Sequence, residues 1–203
     1  MGPGAAMSAE IWLVRHGETE WSSAGKHTSV TDLDLTEEGV EVAGALRPAL
    51  ALVDFDHVHS SPRLRARRTA ELAGFPDPQV DDDLVEWAYG DYEGITTPQI
   101  REHDPGWTVW DGVTPNGETP VQVAERLDRV VDRAVREGGR TLVFGHSHSL
   151  RVLAARWLGL TPQRGRHFFL STATISVLGE DRGERVVRHW NVSPDQARPG
   201  SLA

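Results

Sequence analysis

Short apolar runs alternate along this chain with longer stretches whose apolar positions have helical spacing. Residues 11–14 and 141–144 are mostly apolar and end at glycine-containing polar segments, as strands buried inside a parallel sheet do. Residues 55–59 predict a further strand of that sheet. Residues 174–178 and 185–189 flank an Asp-Arg-Gly turn, and this arrangement predicts a hairpin near the C-terminus.

The stretches with helical spacing predict helices that pack one face against a core. They cover residues 36–53, 61–73, 119–137 and 150–158. Thr36 is a candidate N-cap for the first of them, and Pro48 predicts that this helix kinks or ends early. Ser61 followed by proline predicts the start of the second. Residues 79–87 predict an extended segment.

This order of elements predicts a three-layer α/β/α sandwich with a mainly parallel sheet and the C-terminal hairpin. We expect a single domain over residues 8–195, with flexible termini at 1–7 and 196–203. In such sheets ligands bind beyond the carboxyl ends of the strands, so residues that directly follow a strand are the first candidates for a site.

The amino-acid composition excludes several classes of binding partner and of chemistry. The chain has 203 residues and a formal net charge of −9, so it has no general attraction for nucleic acid or an anionic membrane. Because it contains no Cys, disulfides and thiolate chemistry are excluded. The early apolar run is too short for a membrane span or a signal peptide, and a cytoplasmic location is predicted by default.

Two imidazoles, two guanidiniums and one carboxyl group are candidates for one anion-binding site. Arg15 and His16 follow the first strand, Arg63 enters a helix, and His146 follows the 141–144 strand; Glu86 is the carboxyl group. This set suits phosphoryl transfer. Guanidiniums grip a phosphate dianion, a neutral imidazole attacks phosphorus, and a carboxylic acid protonates the leaving alcohol. None of these steps requires a metal.

Five segments in chain order resemble motifs of the histidine phosphatase superfamily, also called phosphoglycerate-mutase-like. They are RHGETEW at 15–21, DLDLTEEG at 32–39, SSPRLRA at 60–66, EWAYGDYEG at 86–94 and GHS at 145–147. The resemblance extends from residue 12 to residue 178. It implies a phosphoglycerate-mutase-like fold and hydrolysis of a small phosphorylated metabolite, with a sugar phosphate favoured.

The same resemblance implies the roles of individual residues. His16 is the residue that becomes phosphorylated, and Glu86 is the proton donor. The remaining positions complete the phosphate pocket (Arg15, Arg63 and His146) or bind substrate (Ser22, Thr28 and Ser147). No cofactor and no metal are implied. Lys26, His27 and Arg65 are candidates for the rim of the site.

Three other functions stay open at this level. A cofactor-dependent phosphoglycerate mutase of this family carries a longer insertion after the acid, whereas only 60 positions separate Glu86 from His146 here. A metallohydrolase would use the His57/His59 or His146/His148 pairs. A catalytically silent binding module would have the same fold but no enzymatic activity. The predicted partner is a small-molecule phosphate ester, and a homodimer is left open.

Overall fold

A six-stranded sheet runs through the centre of the computed structural model, which describes residues 9–197 and 202. Its strands are β1 (Glu10–Arg15), β2 (His57–Ser60), β3 (Gln79–Val80), β4 (Arg140–Gly145), β5 (Ile175–Asp181) and β6 (Glu184–Val192), in the spatial order β3-β2-β4-β1-β5-β6. The first four are parallel, and β5 and β6 add the antiparallel hairpin. The predicted mainly parallel sheet with a C-terminal hairpin is confirmed.

Within the described residues, seven α-helices connect the strands: α1 (Glu20–Ser23), α2 (Glu37–Ala45), α3 (Arg47–Leu50), α4 (Leu64–Leu72), α5 (Thr97–Arg101), α6 (Pro120–Glu137) and α7 (Ser147–Trp157). Thr36 caps α2 by accepting from the amide of Gly39, and Pro48 lies in the separate short helix α3. The predicted start of α4 at Ser61 is wrong. Its N-cap is Arg63, because Ser61 and Pro62 still continue the exit from β2.

The sheet buries a different set of side chains on each face, and this produces the three layers. Ile11, Leu13 and Val143 pack in one core cluster with apolar residues of α6 and α7. Trp12 and Phe144 pack in the other, with residues of α2, α3 and α4. Burying each such side chain contributes about 1.5–3 kcal/mol, so the alternation along β1 and β4 fixes the register of the sheet.

Two sequence expectations need correction. Residues 79–87 are extended only at β3. Asp81 then accepts from the amide of Asp83 and starts a 3-10 turn at Asp82–Leu84. At the C-terminus, Ala197 and Leu202 are buried in the core cluster that contains Phe144, so these two residues are not part of a free tail. Residues 1–7 lie outside the described part of the chain. None of the described helices is long and apolar enough to cross a bilayer.

Candidate active site

The carboxyl ends of β1 and β4 bring two histidines together. Arg15 ends β1 and pairs in register with Gly145, which ends β4, so His16 and His146 emerge side by side. Their ring centroids are 5.2 Å apart, with the planes at 62°. Both side chains are buried, at 5% and 0% exposure. The two histidines therefore meet at the edge of the parallel sheet where the sequence predicts a site.

His16 is held in one tautomer. Its Nδ1–H donates to the carbonyl of Gly17 at 2.7 Å, which leaves Nε2 without a proton and with its lone pair available. Burial lowers the pKa of His16 well below its ordinary value, and the charges of Arg65 and Arg15 lower it further. A neutral imidazole with a defined free nitrogen is the form that attacks phosphorus.

Two glycines let the loop after β1 lie tightly against α2. A Cβ on Gly17 would lie 2.6 Å from the carbonyl oxygen of Gly39, and a Cβ on Gly39 would lie 2.2 Å from the carbonyl oxygen of Glu18. The amide of Gly17 donates to Thr69 Oγ1 at 2.9 Å, which ties the loop to α4 as well. The backbone carbonyl that fixes the tautomer of His16 is therefore itself held in place.

The second guanidinium beside the histidines belongs to Arg65 and not to Arg63. Arg65 is fully buried, at 0% exposure, and its Nε donates to His146 Nδ1 at 3.2 Å. His146 Nε2, which then carries the proton, donates to Ser61 Oγ at 2.8 Å. This burial also corrects the expectation that Arg65 lies at the rim.

Arg63 stands at the edge of this group. As the N-cap of α4 it is half-buried, and neither Arg63 nor Arg65 is among the described residues that line the cavity. Its Nε is buried and has no hydrogen-bond partner in the described chain. Burial lowers the pKa of His146 well below its ordinary value, the charge of Arg65 lowers it further, and that of Arg63 contributes least. Arg63 is therefore near the site, and it has no hydrogen bond to either histidine among the described residues.

Glu86 lies at the N-terminus of α7, where backbone N–H groups point at its carboxyl group. Oε1 accepts from the amides of Trp87 at 2.9 Å and Ser149 at 2.8 Å, and Oε2 accepts from the amide of His148 at 3.0 Å. The side chain is 4% exposed and lines the same cavity as His16. Oε2 accepts only one of these bonds, so it is the oxygen with more capacity left to contact a ligand.

A cavity of about 510 Å³ opens over His16. All three residues predicted to bind substrate line it, as do Lys26 and His27 of the predicted rim. The hydroxyl of Ser22 donates to the carbonyl of Thr19, and that of Thr28 donates to the carbonyl of Lys26, so both hydroxyl protons are engaged locally. Ser147 is the first residue of α7, and its amide has no acceptor within the helix.

Arg15 faces this cavity with part of its guanidinium unused. Nη1 donates to the carbonyl of Leu170 at 2.6 Å, while Nε is buried without a hydrogen-bond partner among the described residues. Arg15 lines the cavity next to His16. A bound anion would give this nitrogen the acceptor it lacks.

The sequence predicted no individual role for several further residues of the cavity wall, among them Tyr89, Thr97, Arg151 and Phe169. Tyr89 Oη and His148 Nδ1 are hydrogen-bonded at 2.6 Å, and burial raises the pKa of Tyr89 and lowers that of His148. The pair is therefore neutral at pH 7. For Tyr89, the available signal was its position three residues after Glu86 in an irregular segment.

The two histidine pairs that the sequence offers as metal ligands make other contacts in the structure. The rings of His57 and His59 are 6.5 Å apart, and His57 Nε2 lies 3.9 Å from Glu137 Oε2. His146 and His148 are each hydrogen-bonded at Nδ1, to Arg65 and to Tyr89 respectively. No group of three or more His, Asp or Glu side chains among residues 9–197 and 202 is placed to hold a metal ion.

Comparison with known proteins agrees with this geometry. The model of the histidine phosphatase superfamily (branch 1) matches residues 11–193. The chain belongs to the histidine phosphatase superfamily. It is 43% identical to an acid phosphatase of Mycobacterium tuberculosis, over 86% of this chain and 88% of that protein. It is 38% identical to a sedoheptulose 1,7-bisphosphatase of Saccharomyces cerevisiae, over 75% and 68% of the two chains.

A solved structure supports the same assignment for this histidine phosphatase. The product of open reading frame Rv3214 from Mycobacterium tuberculosis superposes with a TM-score of 0.88 at 38% identity, over 92% of this chain and 98% of that one. The predicted phosphoglycerate-mutase-like fold is confirmed. The predicted enzyme class is also confirmed: the protein is a phosphatase, an enzyme that hydrolyses phosphate esters.

Proposed function

We propose that this histidine phosphatase hydrolyses a small phosphorylated metabolite without a metal ion, through a phosphohistidine at His16. The observation that carries the proposal is the state of the imidazole. It is buried and neutral, its Nδ1–H is fixed on Gly17, and its Nε2 keeps its lone pair. Arg15, which lines the same cavity, has an Nε without a hydrogen-bond partner among the described residues. Arg15 and Arg65 supply the positive charge that a metal would otherwise provide.

In the first step the lone pair on His16 Nε2 forms a bond to phosphorus while the bond to the leaving oxygen breaks. Glu86, as the carboxylic acid, gives its proton to that oxygen, and the alcohol departs. The imidazole now carries the phosphoryl group and a positive charge, which the Nδ1–H bond to Gly17 helps to stabilise. In this proposal Arg15, Arg65 and His146 stabilise the charge on the phosphoryl oxygens.

In the second step water attacks the phosphorus and Glu86, now a carboxylate, takes a proton from it. The phosphorus–nitrogen bond breaks, inorganic phosphate forms, and His16 returns to its neutral state. Hydrolysis is favoured over a mutase reaction by the relatives. Those at 43% and 38% identity are named phosphatases, and one named a probable phosphoglycerate mutase is 27% identical.

The proton-donor role predicts a dependence on the leaving group. In Glu86→Gln we expect turnover of a sugar phosphate, whose alkoxide needs a proton, to fall by about 10²–10³-fold. With p-nitrophenyl phosphate the first step needs no proton, so we expect a burst of about one nitrophenolate per chain and then slow turnover. Rapid-quench kinetics measure both. Glu20→Gln, at an exposed carboxylate of α1, is the control. Equal losses for both substrates without a burst would contradict the role.

The cavity supports a polyol or sugar as the leaving group. We propose that this polyol or sugar carries a second anionic group. Neutral hydrogen-bonding side chains such as Tyr89 and Thr97 suit hydroxyls. Arg151 adds a positive charge to this wall, as Lys26 does. Its Nε donates to the carbonyl of Gly165 at 3.1 Å, and its guanidinium stacks on Trp110 at 4.7 Å. This fixed cation suits a second phosphate, and one relative is named as a bisphosphatase.

Removing the charge at Arg151 should affect sugar bisphosphates more than sugar monophosphates. For Arg151→Gln we expect kcat/KM for a sugar bisphosphate to fall by about 10–100-fold, since a charge-assisted hydrogen bond contributes about 1.5–3 kcal/mol. For the matched monophosphate the expected change is within about threefold. Steady-state kinetics with both substrates make the comparison, and Arg164→Gln at a neighbouring exposed arginine is the control. A similar loss for both substrates would remove the second-anion proposal.

A further inference from the structure

A short piece of the loop after α1 is bound along both of its backbone edges. This 28–31 segment presents its amides to the carboxylate of Glu93. Ser29 N donates to Oε1 and Oε2, each at 2.9 Å, and Thr31 N donates to Oε1 at 3.0 Å. The carboxylate therefore takes the place of a neighbouring strand for these peptide groups.

The carbonyl edge of the 28–31 segment is bound by Arg65. Nη2 donates to the carbonyls of Thr28 at 3.2 Å and Ser29 at 3.1 Å, and Nη1 donates to that of Thr31 at 3.0 Å. The remaining contact of this guanidinium is Nε on His146. The orientation of the Arg65 guanidinium is therefore set by His146 and by three carbonyls of the 28–31 segment. The position of these carbonyls depends in turn on the conformation of the loop.

The backbone that follows Glu93 pairs with His27, the residue just before the 28–31 segment. Gly94 N donates to the carbonyl of His27 at 2.8 Å, and His27 N donates to the carbonyl of Ile95 at 2.9 Å. Gly94 has φ of +80°, and a Cβ there would lie 2.9 Å from the ring of Trp21. The carboxylate thus projects from a fixed backbone onto a segment without regular secondary structure.

We propose that Glu93 is a positioning residue of this phosphatase, which holds the 28–31 segment so that Arg65 meets His146 and the phosphoryl group in the right orientation. Glu93 itself does not line the cavity among the described residues. The proposal rests on the proposed function, because it takes Arg65 as a phosphate ligand. Loss of the carboxylate leaves Ser29 and Thr31 amides without their acceptor and releases the three carbonyls from a fixed geometry.

The test compares Glu93→Gln with Asp91→Asn. Gln removes the negative charge and one of the two oxygens that accept from Ser29, so the bonds from both amides weaken and an NH₂ group faces the Ser29 N–H. Asp91 lies two residues away in the same turn, is exposed, and accepts only from Asn116 Nδ2 among the described side chains. We expect the inhibition constant of inorganic phosphate to rise and kcat/KM for p-nitrophenyl phosphate to fall by about 10-fold in Glu93→Gln. Asp91→Asn should change both by less than about twofold.

A double-mutant cycle with Arg65→Lys separates positioning from general stabilisation. If Glu93 acts through the guanidinium fork, Glu93→Gln/Arg65→Lys should be within about threefold of Arg65→Lys alone. Multiplied losses in the double variant, or an unchanged phosphate inhibition constant in Glu93→Gln, would overturn the proposal. Neither of these results would affect the dependence of turnover on His16, which tests the proposed function separately.

Discussion

Replacing His16 by asparagine is expected to lower kcat for p-nitrophenyl phosphate by on the order of 10⁴-fold or more. The asparagine side chain is polar and fits the volume, but its amide nitrogen has no lone pair available to attack phosphorus. Arg15, Arg65 and His146 would still bind phosphate, so we expect inorganic phosphate to remain a ligand of the variant. Stopped assays with high enzyme concentration measure the residual rate.

The control for this experiment is His103→Asn, which changes an exposed histidine. It should leave kcat within about twofold of the original protein, because surface substitutions of this kind have small effects. A His16→Asn variant that folds and keeps more than about a tenth of the original kcat would exclude His16 as the nucleophile.

The second large effect distinguishes two arginines that are two positions apart. We expect Arg65→Lys to lose about 10²–10³-fold in kcat/KM, since lysine keeps the charge but cannot donate to His146 and to three carbonyls at once. Arg63→Lys should lose less than about 10-fold, because Arg63 contributes charge near His146 and touches neither histidine. The comparison uses p-nitrophenyl phosphate and the melting temperature of each variant.

A larger loss in Arg63→Lys than in Arg65→Lys would restore Arg63 as the second phosphate ligand. The melting temperatures bear on this comparison because Arg65 is buried and its loss also removes hydrogen bonds. If both variants are folded at the assay temperature, the ratio of their kcat/KM values decides between the two residues.

The sheet could be predicted because burial on both faces leaves a local signature. The apolar runs at β1 and β4 and the turn between β5 and β6 depend on neighbours in sequence, and each was placed within a few residues. The pairing of His16 with His146 followed from the parallel arrangement, since both directly follow strands that share one edge.

The choice of Arg63 over Arg65 shows where local patterns stop being sufficient. A helix starting at Ser61 and a helix starting at Leu64 point these two side chains in different directions, and the sequence allows both. Which start is used depends on β2 and on His146, which are distant in the chain. The cavity wall could not be predicted from local patterns for the same reason. Tyr89, Arg151 and Phe169 come from three separate segments, and only the folded chain brings them together.

The central claim is that phosphate is transferred to His16 without a divalent ion, and direct isolation of the intermediate tests it. The protein is incubated with a ³²P-labelled substrate in the presence of EDTA, quenched within milliseconds, and digested for mass spectrometry at alkaline pH. We expect the label on the peptide that contains His16, as an acid-labile and alkali-stable phosphoramidate. Label on another residue would contradict this mechanism. So would turnover that forms no phosphoenzyme and requires an added divalent cation.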